Sequence, residues 1–293
     1  PLNIAVPANP QNATEKCLPK MAALIPSPKH FPVLKNDTKS EPELPATVRR
    51  SDEDPHITRG NTAKRGQFPW QVALLIDSAY FCGGSLISDE WVLTAAHCTS
   101  SFSTFAVMLG SSRVITPDSG ALTILSRNSS AHPEWNSSYI NNDIAVIKLP
   151  EPIDYTLYIN PIRLPTRSQA NIDFVGKMVQ CSGWGKISDP SDEISSTLQY
   201  VHLLVITNRE CEATFGELIT DTKICVSTPD FKSPCNGDSG GPLVFQENDG
   251  RYTEVGIVSF GHTHGCERGY PVAFTRVTSY LDWIETSTSI VIA

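Results

Sequence analysis

Short apolar runs, broken at frequent intervals by turn residues, are what most limits the folds open to this chain. They fall at residues 72–76, 84–87, 91–94, 144–149, 178–181, 198–205, 242–245 and 255–259. Each has strand length, and many short strands at such spacing predict an all-β sandwich or barrel. One stretch near the end differs. Val277, Tyr280, Leu281 and Ile284 recur at helical spacing across 277–285, and Thr278 or Ser279 offers a cap.

The first 56 residues do not share this pattern. They hold ten of the 22 prolines and one cysteine, Cys17. Proline at that density supports neither a helix nor a sheet interior, so an extended or poorly ordered segment is expected there. The division is therefore a Pro-rich segment, 1–56, and a folded domain, 57–293. An apolar content of 40% over 293 residues is ample for a core.

Charge and hydropathy exclude some classes of function. The net charge of −8 comes without a basic block of the kind that nucleic acid requires. No run of 18 apolar residues is present, so no membrane span is expected. Pro1 onward has neither a charged start nor an apolar core, and the chain is expected to begin after a removed signal peptide. Eight cysteines and four glycosylation sequons, at Asn12, Asn36, Asn128 and Asn136, point to a secreted, extracellular protein. Asn128 and Asn136 flank a polar stretch that reads as a surface loop.

Three segments carry chemistry. Cys235-Asn236-Gly237-Asp238-Ser239-Gly240-Gly241-Pro242 sets a serine on a glycine-rich turn. Thr94-Ala95-Ala96-His97-Cys98 supplies a histidine, and Asn141-Asn142-Asp143-Ile144-Ala145 an aspartate. A serine hydroxyl is a weak nucleophile at neutral pH and needs a base, which in turn needs a group to orient it. Any one of these residues alone is an ordinary turn residue. The three together, in the order His, Asp, Ser, are not.

On these motifs, and on Ile57-Thr58-Arg59-Gly60 followed by Gly66-Gln67-Phe68-Pro69-Trp70, the chain resembles the chymotrypsin-like serine proteases from Ile57 to about Ile284. Gly265-Cys266-Glu267-Arg268-Gly269-Tyr270-Pro271-Val272 resembles their arthropod chymotrypsin and collagenase-like branch. The resemblance implies two antiparallel six-stranded β-barrels with the site in the cleft between them, and a C-terminal helix. It implies His97 as general base, Asp143 as its orienter, Ser239 as nucleophile, and the N–H groups of Gly237 and Ser239 as an oxyanion hole. It also implies the disulfides Cys82–Cys98, Cys211–Cys225 and Cys235–Cys266.

Two cysteines remain. Cys17 and Cys181 either pair with each other or stay apart, and the favoured reading is a buried free Cys181 with a free or intermolecular Cys17. Phe245 stands where many relatives carry a further cysteine. Arg163 lies near the position from which some relatives tether the pro-segment.

The same resemblance implies a zymogen whose cleavage before Ile57 frees an α-amino group to pair with Asp238. Here His56 precedes the cut instead of Arg or Lys, and the nearest basic pair is Arg49-Arg50. The activating protease is therefore either not trypsin-like, or it cuts after Arg50 and the end is trimmed. Arg59 replaces the usual glycine. Around the specificity pocket the resemblance puts Ser233 at the base, Gly261 at the mouth and Val272 on the wall, with Ser259-Phe260-Gly261 pairing with the substrate backbone. With no carboxylate at the base, a basic side chain would be buried unpaired. Leu or Met ahead of Phe or Tyr is expected before the scissile bond.

The implied activity is hydrolysis of protein or peptide substrates, with no cofactor and with a protein inhibitor as a further partner. His262 and His264 alternate in one loop without a third ligand, so no metal is expected. The competing class is a regulatory or binding protein on the same fold, using its pro-segment as an interaction arm.

Overall fold

A computed structural model describes Thr58 and residues 60–293. The expectations for Asn12, Cys17, Asn36, Arg49-Arg50, His56, Ile57 and Arg59 lie outside the described residues. The chain enters through a two-residue strand, β1 (Asn61–Thr62), and then builds a first sheet. That sheet comprises β2 (Gln71–Ile76), β3 (Tyr80–Leu86), β4 (Trp91–Thr94), β5 (Phe105–Leu109), β6 (Leu122–Ser126), β7 (Asn128–Ala131) and β8 (Ala145–Lys148). Its antiparallel order is β6-β5-β2-β3-β4-β8-β7. The two ends of the order, β6 and β7, are consecutive in sequence and joined only through Arg127, so the sheet curls round on itself. At that corner the Ser126 hydroxyl donates to the Lys148 carbonyl at 2.6 Å.

A second sheet comprises β9 (Met178–Gly183), β10 (Gln199–Ile206), β11 (Lys223–Ser227), β12 (Pro242–Gln246), β13 (Tyr252–Phe260) and β14 (Val272–Arg276), with β1 along its edge. β9 pairs with both β12 and β10, which closes a six-stranded barrel. The fold is thus all-β, as the run pattern and the resemblance implied. β5 and β10 show the reason plainly: residues alternate between buried and more exposed along each strand, the two-residue period of a half-buried sheet.

Among the described residues two α-helices complete the fold: α1 (Asn208–Phe215) and α2 (Leu281–Thr288). The terminal helix is entered through a 3-10 turn over Val277–Tyr280, and no side chain caps it, so neither Thr278 nor Ser279 acts as the expected cap. The stretch expected to loop from Asn128 instead begins as the edge strand β7. Both Asn128 and Asn136 are exposed there.

One apolar cluster fills the first sheet and the contact between the barrels, from Leu74, Leu93 and Phe105 to Trp184 and Ile257. A second fills the closed barrel around Val179, Leu203, Leu243 and Phe274. A third, smaller one gathers Ile140, Phe215 and Phe260 with the Cys211–Cys225 bridge beside the cleft. The disulfides Cys82–Cys98, Cys211–Cys225 and Cys235–Cys266 are all formed. Cys181 is a free, fully buried thiol in β9. Phe245 packs on Phe174 with ring centroids 5.5 Å apart. Arg163 pairs with Asp249 at 3.0 Å and donates to the Thr253 hydroxyl at 3.0 Å.

Candidate active site

His97 and Asp143 come from the first sheet and Ser239 from the second, so the site exists only where the barrels meet. His97 lies in a 3-10 turn, Ala96–Cys98, directly after β4. Asp143 ends the loop that leads into β8. Register sets them side by side: β4 pairs with β8, with Thr94 opposite Ala145. The Asp143 carboxylate is fully buried and accepts three hydrogen bonds. The His97 backbone N–H reaches Oδ1 at 2.9 Å, the His97 Nδ1 reaches Oδ2 at 2.8 Å, and the Ser259 hydroxyl reaches Oδ2 at 2.6 Å. Burial alone would raise this carboxyl. His97, through charge and hydrogen bond, and then Lys223 and Ser259, bring it below the ordinary carboxylate range.

With Nδ1 facing Asp143, the other ring nitrogen of His97 is fixed in direction. Among the described residues Nε2 is buried and has no hydrogen-bond partner. Ser239 is half-buried on the neighbouring turn, and its carbonyl accepts from the Gly83 N–H of β3 at 2.7 Å. The first sheet thereby grips the backbone of the serine.

The turn around Ser239 spends three of its N–H groups on backbone carbonyls. Asp238 N–H donates to Cys235 O, Gly240 N–H to Val258 O and Gly241 N–H to Asp238 O, each at 2.9 Å. Among the described residues, those of Gly237 and Ser239 have no backbone acceptor at this turn. Gly237 has φ 101°, which only glycine adopts easily, and a Cβ there would press on Ile194 and Gly185 at 3.0 and 3.1 Å. The Asp238 carboxylate points inward. It accepts from Gly185 N–H at 2.7 Å and Cys235 N–H at 2.9 Å. Burial raises it to about 6 despite those two bonds, because no cation faces it among the described residues. Gly185 must lack a side chain, since a Cβ would meet that carboxylate at 2.3 Å.

Ser233 is buried 1% exposed; its hydroxyl donates to Pro234 O at 2.8 Å, and its N–H to the Thr58 hydroxyl at 2.9 Å. Val272 opens β14 and is buried opposite Val226. Gly261 is buried directly after β13. The Ser259 side chain turns to Asp143. A cavity of about 240 Å³ lies outside the Cys235–Cys266 bridge, lined by Lys186, Asp189, Asn236 and His262 among others. Its one carboxylate, Asp189, is occupied by the N–H groups of Cys266 (2.6 Å) and Glu267 (3.2 Å). His262 lies flat on Tyr270 at 3.8 Å and accepts from the His264 N–H at 3.2 Å.

Sequence reasoning missed three buried polar residues. Thr275 donates to the Asp143 carbonyl at 2.8 Å. Lys223 and Glu254 are both fully buried, and Glu254 accepts from the Ser85 hydroxyl across the barrels at 2.6 Å. Each breaks an otherwise apolar or strand-like run, which was the available signal.

A family model described as Trypsin matches residues 57–284. The chain belongs to the trypsin family. Among its curated relatives are brachyurin of Leptuca pugilator, 45% identical over 80% of this chain and 99% of the relative, and a collagenase of Hypoderma lineatum, 39% identical over 87% and 95%. The solved structure of HL collagenase superposes with a TM-score of 0.72, at 39% identity over 80% of this chain and 99% of that one. This trypsin-family member is a serine endopeptidase, similar to the chymotrypsin-like proteases of arthropods. Its substrates are proteins or peptides.

Proposed function

We propose that this endopeptidase works through a Ser239-His97-Asp143 triad, and that it is secreted as a zymogen and prefers apolar residues before the scissile bond. One observation carries the triad. A fully buried carboxylate holds Nδ1 and the main chain of His97 together, which leaves Nε2 as the ring nitrogen with no hydrogen-bond partner among the described residues.

Ser239 Oγ attacks the carbonyl carbon of the scissile bond while its proton passes to His97 Nε2. The former carbonyl oxygen becomes an oxyanion facing the unspent N–H groups of Gly237 and Ser239, where a single lost donor costs about 3 kcal/mol of barrier. Collapse breaks the C–N bond, and the leaving amine takes the proton from His97. Water then attacks the Ser239 ester with His97 as base again, releasing the acid and restoring the hydroxyl.

The cation that Asp238 lacks among the described residues is, in this reading, the α-amino group of Ile57, freed when residues 1–56 are cut away. A buried carboxylate left alone costs several kcal/mol, which disfavours the ordered turn until the cut is made. Docking of Thr58 beside Ser233 supports the idea that the new end belongs in this region. The base of the pocket offers a hydroxyl already engaged by Pro234 O and no carboxylate, and Val272 takes up depth. That favours Leu or Met over Phe or Tyr, and disfavours Lys and Arg. Three disulfides and the exposed sequons at Asn128 and Asn136 favour an extracellular, glycosylated protein. Among the described residues no helix is long and apolar enough to cross a membrane.

The test is to activate the full chain, sequence the new terminus, and assay fluorophosphonate labelling with a panel of peptides. An Ile57 terminus, labelling at Ser239 and turnover of Leu and Met peptides are expected. A clean Ile57 terminus with no labelling would overturn the triad. A tenfold preference for Arg peptides would overturn the pocket.

A further inference from the structure

The loop that presents Asp143 is held in an unfavourable shape. Ile140 has φ 53° and Asn142 φ 54°, and a β-branched residue in the left-handed region is strained. Such a shape persists only when its surroundings over-determine it. Two buried residues do so from adjacent strands. Lys223 on β11 and Thr275 on β14 are register partners. The Thr275 hydroxyl takes the Asp143 carbonyl at 2.8 Å, and the Lys223 ammonium takes the Ile140 carbonyl at 2.5 Å. The loop is clamped at both ends.

Lys223 is an unusual choice for such a clamp. It has no exposed surface, and a buried ammonium is expensive where an apolar side chain of equal length would fill the space. Its Nζ lies 5.5 Å from the Phe260 ring centroid. It forms no direct ion pair with Asp143, yet the two feel each other's charge.

We propose that Lys223 is a positioning residue of the triad, whose buried charge fixes the loop carrying Asp143 and biases the His97–Asp143 pair toward the uncharged imidazole that can accept the serine proton. The inference rests on the triad reading above. A buried cation whose charge Asp143 feels opposes a second cation on the imidazole. Burial lowers the Lys223 ammonium to about 8 against the opposing pull of Asp143, so it carries its charge through the acid range in which the histidine must be unprotonated.

The other ionisable groups around the pair are few. Tyr280 donates to the Asn142 side chain at 3.0 Å and senses Asp143 and Glu134, and its ring meets His132 at 5.5 Å. Arg276 donates to the Lys223 carbonyl at 3.1 Å and faces Asp173 and Asp221. None of these sets a cation against the loop carbonyl as Lys223 does.

The test is the pH profile of kcat/KM for activated native enzyme, K223M, K223Q and K223R, with S239A in parallel. In K223M, near in shape but uncharged, the acid limb should move up by about half a pH unit. Its kcat should fall about fivefold with KM little changed. K223R, which keeps the charge, should keep the native limb. A native limb in K223M with lower kcat would overturn the proposal, because a merely structural residue would do the same. If K223M does not fold, the limb is read in K223Q. Failure of both to fold makes Lys223 a residue of the fold alone and overturns the proposal too. Loss of turnover in S239A with an unmoved limb in K223M sinks the Lys223 role only, whereas retained turnover in S239A sinks both readings.

Discussion

Ser259 donates a 2.6 Å hydrogen bond to the same Asp143 oxygen, Oδ2, that accepts from His97 Nδ1. The strand expected to pair with substrate backbone thus also braces the Asp143 carboxylate. Removing the hydroxyl in S259A frees that oxygen's second bond without opening the site. Steady-state kinetics should show kcat/KM lower by about tenfold, equivalent to ~1.4 kcal/mol. KM should stay nearly constant.

Glu254 gives a pH-dependent stability. Burial raises its carboxyl from 4.5 to about 8 even though the Ser85 hydroxyl pulls it down. The folded state therefore holds a proton that the unfolded chain releases above 4.5. Its contribution is fully present below that pH and is lost as pH rises through about 8. Thermal melts of the activated enzyme should show E254Q and native protein converging near pH 4. By pH 8, E254Q should be the more stable by at least ~1 kcal/mol.

Depth in the pocket is testable at Val272. V272G should move the preference from Leu toward Phe and Tyr by about tenfold in relative kcat/KM, since a few methylene volumes are worth 1–3 kcal/mol. An unchanged ranking would mean that the side chain does not border the substrate.

Cys181 is fully buried, and burial, then the nearby Asp238 charge, pushes its thiol well above the usual range. It should resist alkylation in the folded enzyme and react only on unfolding. Rapid labelling under native conditions would contradict the packing seen in β9.

Much of this was open to reading in sequence because the relevant signals are local. A serine among glycines, a histidine before a cysteine and an aspartate after two asparagines each declare a turn, and apolar runs declare strands. α1 was missed although Thr207 and Glu210 form a capping box that the sequence displays. β5, β11 and β14 were missed because their residues are set by cross-strand neighbours as much as by their own pattern. The long-range bonds of Lys223, Thr275, Ser259 and Glu254 were beyond local reasoning. Each acts on a residue more than 80 positions away, through a contact that exists only when strands align. The disulfides followed from the resemblance, since eight cysteines alone leave the pairing undetermined.

The bond from the Gly83 N–H to the Ser239 carbonyl has a mechanical meaning. Neither barrel holds Ser239 alone: one builds the turn and the other anchors it. Turnover is therefore a gauge of how the halves seat against each other.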